Sequence, residues 1–132
     1  MTTSIEPSVT AAVQTAIAAY AQALDGDRPD DIAALFTPDG VAEIVGMAKF
    51  EGREAIRQGF AGFAPQRPQL HLVANTVVTS ATEDEVTATS NLAFFGRGDA
   101  GWSVELVGRY DDVLRRHEGE WRFQYRTTTF LP

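Results

Sequence analysis

Residues 20–40 read Tyr20-Ala-Gln-Ala-Leu-Asp25-Gly-Asp-Arg-Pro29-Asp-Asp-Ile-Ala-Ala-Leu-Phe36-Thr-Pro38-Asp-Gly40, and they predict the end of one helix, a second short helix and a turn into a strand. Gly26 ends the first helix, and Pro29 suits the first position of the second. Two aspartates then fall in the first turn, where the helix dipole favours negative charge. Residues 37–40 have the chemistry of a type I turn.

The sequence on either side of this stretch changes from helical to strand periodicity. Upstream, apolar residues recur at helical spacing, and residues 52–63 predict a third helix. Residues 41–45 and 46–50 predict a short hairpin, and residues 70–80, 85–95, 102–116 and 120–130 are long strands joined by tight turns. We therefore predict an α+β fold in which about three N-terminal helices pack on a curved antiparallel sheet.

Composition limits the classes of partner. The 132 residues are 44% hydrophobic and 22% charged, which fits one domain spanning residues 1–132. A net charge of -7 disfavours nucleic acid and anionic membrane, because both are bound through basic surfaces. The first seven residues lack a basic leader region, and with no cysteine in the chain we expect a cytoplasmic protein.

Strand alternation predicts which polar residues share a face. His71 and Asn75 fall on one face of their strand, and Tyr110 falls on the same face as Gly108. A glycine inside a strand marks a place where the sheet bends or a ligand approaches. His117 lies in a predicted turn, and no histidine spacing fits a metal site. We therefore expect neither a metal nor another cofactor.

Several short motifs, taken in order, carry a resemblance to a known family. They are a helix with Tyr20 and Asp25, then Leu35-Phe-Thr-Pro-Asp-Gly40, Phe50-Glu-Gly-Arg-Glu-Ala-Ile56, His71 opening a strand, Gly108-Arg-Tyr-Asp111 and Gly119-Glu-Trp-Arg-Phe123. The chain resembles the SnoaL-like group of the NTF2-like superfamily, which includes scytalone dehydratase, ketosteroid isomerase and polyketide cyclases. This resemblance covers nearly the whole chain and implies a cone whose sheet encloses a cavity.

The resemblance also implies roles for particular residues. Asp25 falls at the helix aspartate of the dehydratases and His71 at the histidine that opens their strand, while Tyr20 fits a pocket tyrosine of the isomerases. Tyr110 and Gly108 fall at pocket positions. The second dehydratase histidine has no counterpart near residues 94–96, and the position of the isomerase carboxylate base is Ile44.

These residues predict acid–base chemistry. A carboxylate beside a neutral histidine orients the ring and stabilises the imidazolium, so His71 would be the base and Asp25 its orienting partner. Tyr20 or Tyr110 would donate to a carbonyl oxygen. The predicted binding residues are Tyr110, Asn75, Phe60, Phe94 and Gly108, and the ligand is a small hydrophobic molecule.

Two alternatives stay open. A histidine that bonds Asp25 can simply lock the helix onto the sheet, in which case the protein binds a ligand without converting it. An accessory subunit of the same fold, resembling the small subunit of ring-hydroxylating dioxygenases, would need a larger partner chain. We also expect a homodimer, because the outer sheet face carries Val107 and Val113 among charges.

Overall fold

Three helices form the layer that covers the inner face of the sheet in this computed structural model, which describes residues 5–132. They are α1 (Pro7–Asp25), α2 (Pro29–Ala34) and α3 (Arg53–Ala61). The first helix ends at Gly26 and the second begins at Pro29, as the sequence predicts. Residues 1–4 lie outside the described residues. They include the start of the predicted domain and part of the segment in which the sequence analysis looked for a leader.

Six strands form one curved, open sheet in the order β2-β1-β6-β5-β4-β3. Their bounds are β1 (Phe36–Ile44), β2 (Ala48–Glu51), β3 (Gln69–Ala81), β4 (Glu85–Gly98), β5 (Gly101–His117) and β6 (Glu120–Phe130). The predicted meander of β3 to β6 is antiparallel throughout, and β1 joins its far side in parallel with β6. The α+β prediction is therefore confirmed, and the single parallel pair makes the sheet mixed.

The segment predicted as a turn at residues 37–40 lies instead within β1. Pairing with β6 begins at Phe36, shifts register and resumes at Val41, so the intervening residues form an irregular stretch of strand. A side chain at Gly40 would meet the Phe123 carbonyl oxygen at 3.0 Å. Strand pairing thus overrides the local turn chemistry, and the glycine permits the close approach of the two chains.

A second irregularity reverses the faces of β3. Asn75 has a positive φ of 58°, and the register with β4 shifts between Ala74 and Val77. As a result, Asn75 and Val77 are exposed instead of lying on the His71 side. The prediction that His71 and Asn75 share a face is therefore wrong, because the bulge adds a residue and breaks the alternation.

The core lies between α1 and the inner sheet face. Tyr20 lies at the centre of this core. Its side chain is 3% exposed and packs edge-on against the rings of Phe60, Tyr110 and Phe123. Buried aromatic pairs of this geometry stabilise a core beyond the area they bury. Among residues 5–132, no helix combines the length and the apolar character needed to cross a membrane.

Candidate active site

A cavity of about 220 Å³ lies between the helices and the inner face of the curved sheet. Its mouth includes the exposed side chains of Met47, Phe63 and Leu106. Its remaining lining is largely apolar and comes from both layers: Tyr20, Leu24, Ile44, Phe60, Gln69, His71, Leu92, Phe94, Tyr110, Thr128 and Phe130. The lining suits a small, largely apolar ligand.

The histidine in this wall is held by a carboxylate. The Nδ1 atom of His71 lies 2.6 Å from Oδ1 of Asp25, and the His71 backbone N–H donates to Oδ2 at 2.8 Å. Gln69 also donates to Oδ1, at 3.0 Å. The carboxylate therefore fixes both the backbone and the ring of His71.

Local structure explains why these two residues meet. Asp25 is the last residue of α1, and His71 lies near the start of β3, which is an edge strand. An edge strand leaves backbone N–H groups without a strand partner, and Asp25 accepts one of them. The ring then packs against Phe94, with centroids 4.7 Å apart.

The pair is partly shielded from solvent. The side chains of His71 and Asp25 are 13% and 15% exposed. His71 lines both the cavity and a groove between α1 and β3, whereas Asp25 lines only the groove. Because Nδ1 faces the carboxylate, Nε2 is the ring nitrogen left to meet a ligand. Such a ring, neutral and protonated on Nδ1, can accept a proton at Nε2.

Two tyrosines form the floor of the cavity. Burial raises the pKa of the Tyr110 hydroxyl to about 12, and the nearby Arg126 guanidinium opposes that rise. Burial, followed by the neighbouring Tyr110, raises the pKa of Tyr20 further. Both hydroxyls are therefore protonated near neutral pH, and each can donate a hydrogen bond to a ligand oxygen.

Of the other predicted binding residues, Phe60 and Phe94 line the cavity and two do not. Asn75 is exposed and donates to Asn91 at 3.1 Å. Gly108 packs inside the sheet, where an added Cβ would lie 2.8 Å from the backbone oxygen of Thr129. That glycine thus permits a close approach of β6 and not of a ligand, which corrects its predicted place.

Sequence reasoning missed a buried ion pair beneath the floor. Nε of Arg126 lies 3.0 Å from Oδ1 of Asp112, and both side chains are fully buried. A register shift between Val113 and Leu114 moves Arg126 onto the inner face. Strand alternation does place Asp112 beside Tyr110, so a buried aspartate in need of a cation was the available signal.

The described residues contain no cluster suited to a metal ion. Within residues 5–132, no three side chains of histidine, cysteine, aspartate or glutamate converge. The polar groups of the cavity are an imidazole, hydroxyls and an amide, which are suited to proton transfer and hydrogen bonding.

The family follows from a match over nearly the whole chain. A family model described as a SnoaL-like domain matches residues 8–127. The chain belongs to the SnoaL-like domain family. A comparison of this SnoaL-like chain with the curated proteins finds no match.

Solved structures extend the similarity of this SnoaL-like domain. A protein of unknown function from Mycobacterium tuberculosis is 25% identical, with a TM-score of 0.88 over 96% of this chain and 78% of that chain. A candidate aromatic ring hydroxylase from Novosphingobium aromaticivorans is 28% identical, with a TM-score of 0.86 and coverage of 98% and 93%. A protein from Catenulispora acidiphila in complex with the small molecule S-DNPA is 25% identical, with a TM-score of 0.84 and coverage of 95% of each chain.

Proposed function

We propose that this protein is a cofactor-independent acid–base enzyme that removes a proton beside the carbonyl group of a small hydrophobic molecule. The observation that carries the proposal is the His71–Asp25 pair in the wall of an apolar cavity, with Nδ1 held at 2.6 Å and Nε2 left for the ligand. The reaction would be of the lyase or isomerase type. We propose a cytoplasmic location, with which a chain without cysteine is compatible.

The arrangement of the cavity residues supports each part of such a step. His71 would accept the proton at Nε2, and Asp25 would stabilise the imidazolium that forms. Negative charge would develop on the carbonyl oxygen, where a hydroxyl from Tyr20 or Tyr110 would donate a hydrogen bond. A positioned general base typically contributes about 10²- to 10⁴-fold to the rate.

Proton abstraction can be tested before the substrate is known. The wild-type protein is incubated in D₂O with acetophenone, 2-tetralone and cyclohexanone, and deuterium uptake beside the carbonyl is followed by ¹H NMR. We expect catalysed exchange for at least one ketone and its loss in His71→Asn. The matched control is His117→Asn, since His117 is the second histidine of the chain and lies at the β5–β6 turn.

The experiment separates this proposal from its main alternative. Wild-type exchange no faster than buffer, or equal exchange in His71→Asn, would reject His71 as a base. If a ketone nevertheless bound in the cavity, the protein would be a ligand-binding member of the family. The Catenulispora acidiphila relative, in complex with S-DNPA, supports small-molecule binding as the minimum function.

A partner chain forms the second part of the proposal. Leu72, Val104 and Val107 are 52%, 54% and 45% exposed on the outer face of the sheet. The registers through β4 align Leu72 with Val107 and the exposed Leu70 with Val104, so an apolar patch extends from β3 across β4 to β5. Exposed patches of this kind mark protein interfaces. A second copy of the chain would cover it, whereas an accessory-subunit role would require a larger, different partner.

A further inference from the structure

The buried ion pair beneath the cavity floor has no role in the proton transfer proposed above. Arg126 on β6 and Asp112 on β5 are directly paired in the sheet register. Asp112 lies two residues after Tyr110 along β5 and on the same face of the sheet. Both side chains of the ion pair are fully buried. A buried ion pair often stabilises a fold no better than apolar residues of the same size. Packing alone therefore does not explain a guanidinium at this place.

The charge of Arg126 is poorly satisfied by hydrogen bonds. Nε lies 3.0 Å from an oxygen of Asp112, which is the counter-ion of Arg126. Neither Nη1 nor Nη2 has a hydrogen-bond partner among residues 5–132. The other close contacts of the guanidinium are with aromatic rings.

Those surrounding groups are the aromatic rings of the floor. The guanidinium carbon lies 3.5 Å from the ring centroid of Tyr110 and 4.3 Å from that of Tyr20. Both tyrosines also line the cavity. A cation on the face of a phenol ring withdraws electron density from it and makes the hydroxyl a stronger donor. One ring therefore separates the positive charge from the ligand space.

Two carboxylates near Tyr110 oppose this effect. Asp112 is the counter-ion of Arg126, and Asp25 faces the site beside His71. Among the charges that act on the pKa of Tyr110, the lowering by Arg126 exceeds the rise caused by Asp112, which in turn exceeds that caused by Asp25. Burial also raises the pKa of Asp112 to about 6, so its neutralising charge weakens below neutral pH.

We infer that Arg126 gives the cavity floor a preference for ligands with negative charge on an oxygen beside Tyr110, such as a phenolate or an enolate. Arg126 does not touch the ligand; it acts through the Tyr110 ring and is a positioning residue. The inference deepens the proposed function, because an enolate is what proton abstraction beside a carbonyl creates. It names the ligand class as oxyanions of mostly apolar molecules.

The test compares two probes of nearly equal shape. 4-Nitrophenolate carries the charge and 4-nitroanisole does not, and both are followed by absorbance at a pH where the phenol is ionised. We expect the wild-type protein to bind the phenolate more tightly than 4-nitroanisole. At an effective dielectric of ~20, an uncompensated unit charge one ring away changes the affinity of an ion by about tenfold or more, and the ionised Asp112 reduces this effect in the wild type.

Variants then assign the preference to Arg126. Arg126→Met should lower the affinity for the phenolate by about tenfold and leave the affinity for 4-nitroanisole unchanged. Arg126→Lys, which keeps the charge, should retain part of the phenolate affinity. Asp112→Asn, which removes the opposing charge, should raise the phenolate affinity. The matched control is Arg109→Met. Arg109 pairs with Asp111 at the same 3.0 Å distance, but on the exposed outer face of β5.

Each outcome is decisive. A wild-type protein that binds both probes equally, or does not bind the phenolate at millimolar concentration, overturns the inference, and so does an unchanged ratio in Arg126→Met. If Arg126→Met does not fold, the wild-type ratio and the Arg126→Lys variant still decide. A phenolate preference without ketone exchange would reject the proposed function alone, and exchange without the preference would reject this inference alone.

Discussion

Replacing Asp25 by asparagine should reverse the tautomer of His71 while leaving the ring in place. In the wild-type protein, Oδ1 and Oδ2 only accept hydrogen bonds, so Nδ1 of the neutral ring must carry the proton. An asparagine has one accepting oxygen and one donating nitrogen. If the asparagine oxygen still accepts the hydrogen bond from the His71 backbone N–H, the asparagine nitrogen faces Nδ1 of the ring. That nitrogen donates to Nδ1, so the proton of the neutral ring must lie on Nε2. The base would then present a proton, not a lone pair, to the cavity.

The cost in stability can be worked out from the three hydrogen bonds that Asp25 accepts. Hydrogen bonds to a charged group contribute about 1.5–3 kcal/mol each and those between neutral groups about 0.5–1.5 kcal/mol. Asparagine keeps the two hydrogen bonds with His71 in weaker form and loses the bond from Gln69. It also removes a partly buried charge, which offsets part of this loss. We expect a net loss of about 1–2 kcal/mol, or about 3–8 °C in Tm for a domain of this size.

Two measurements check the prediction. Long-range ¹H–¹⁵N spectra of the histidine rings report the protonated nitrogen, and His117 serves as the internal reference because it lies far from Asp25 in the β5–β6 turn. Urea denaturation reports the stability. Ketone exchange should fall by about 10²- to 10⁴-fold, because a general base in the wrong tautomer cannot accept a proton.

The reasoning would be refuted by either of two results. One is a wild-type His71 with its proton on Nε2, which would mean that Asp25 does not accept from Nδ1. The other is an Asp25→Asn protein that keeps the wild-type tautomer and full exchange activity. A folded variant that has the reversed tautomer and no exchange would support the assignment of His71 as base.

Three further predictions follow from other parts of the structure. Gly108→Ala should destabilise the protein by about 1–3 kcal/mol in urea denaturation, because its Cβ would lie 2.8 Å from the Thr129 carbonyl oxygen; an unchanged midpoint would contradict this packing. Val107→Glu should shift a dimer to monomers in analytical ultracentrifugation, whereas Val45→Glu, at a similarly exposed turn position, should not; a wild-type monomer would exclude the homodimer. Burial raises the pKa of Asp112 to about 6, above its unfolded value, so its contribution to stability is full below about pH 4 and is lost as the pH rises through 6. Relative to Asp112→Asn, the free energy of unfolding of the wild-type protein should therefore fall by up to roughly 3 kcal/mol over this range. A difference between the two proteins that does not change with pH in urea denaturation would refute the shift.

Local rules predict the elements of this fold well because each boundary has its own signal. Gly26 and Pro29 delimit the helices, and the four long strands are rich in valine, threonine and aromatic residues and are separated by turn residues. Family resemblance, added to these patterns, predicts that Asp25 and His71 pair, and the structure places them 2.6 Å apart. Their catalytic role stays a prediction.

The errors come from bulges, which local patterns do not reveal. The extra residue near Asn75 reverses one strand face, and a register shift in β5–β6 brings Arg126 inward. Both depend on how neighbouring strands pair, and pairing is a property of the tertiary structure. The misplacement of Asn75 and the missed ion pair thus have one physical origin.

The parallel pairing of β1 with β6 also determines when the molecule can be completed during synthesis. Ala42 pairs with Arg126, so β1 waits on the ribosome for a segment that is synthesised much later in the domain. Until then, β1 is paired only with the short strand β2. Because β6 also supplies Thr128 and Phe130 to the cavity wall, ligand-binding competence should appear only in nascent chains in which β6 has left the exit tunnel.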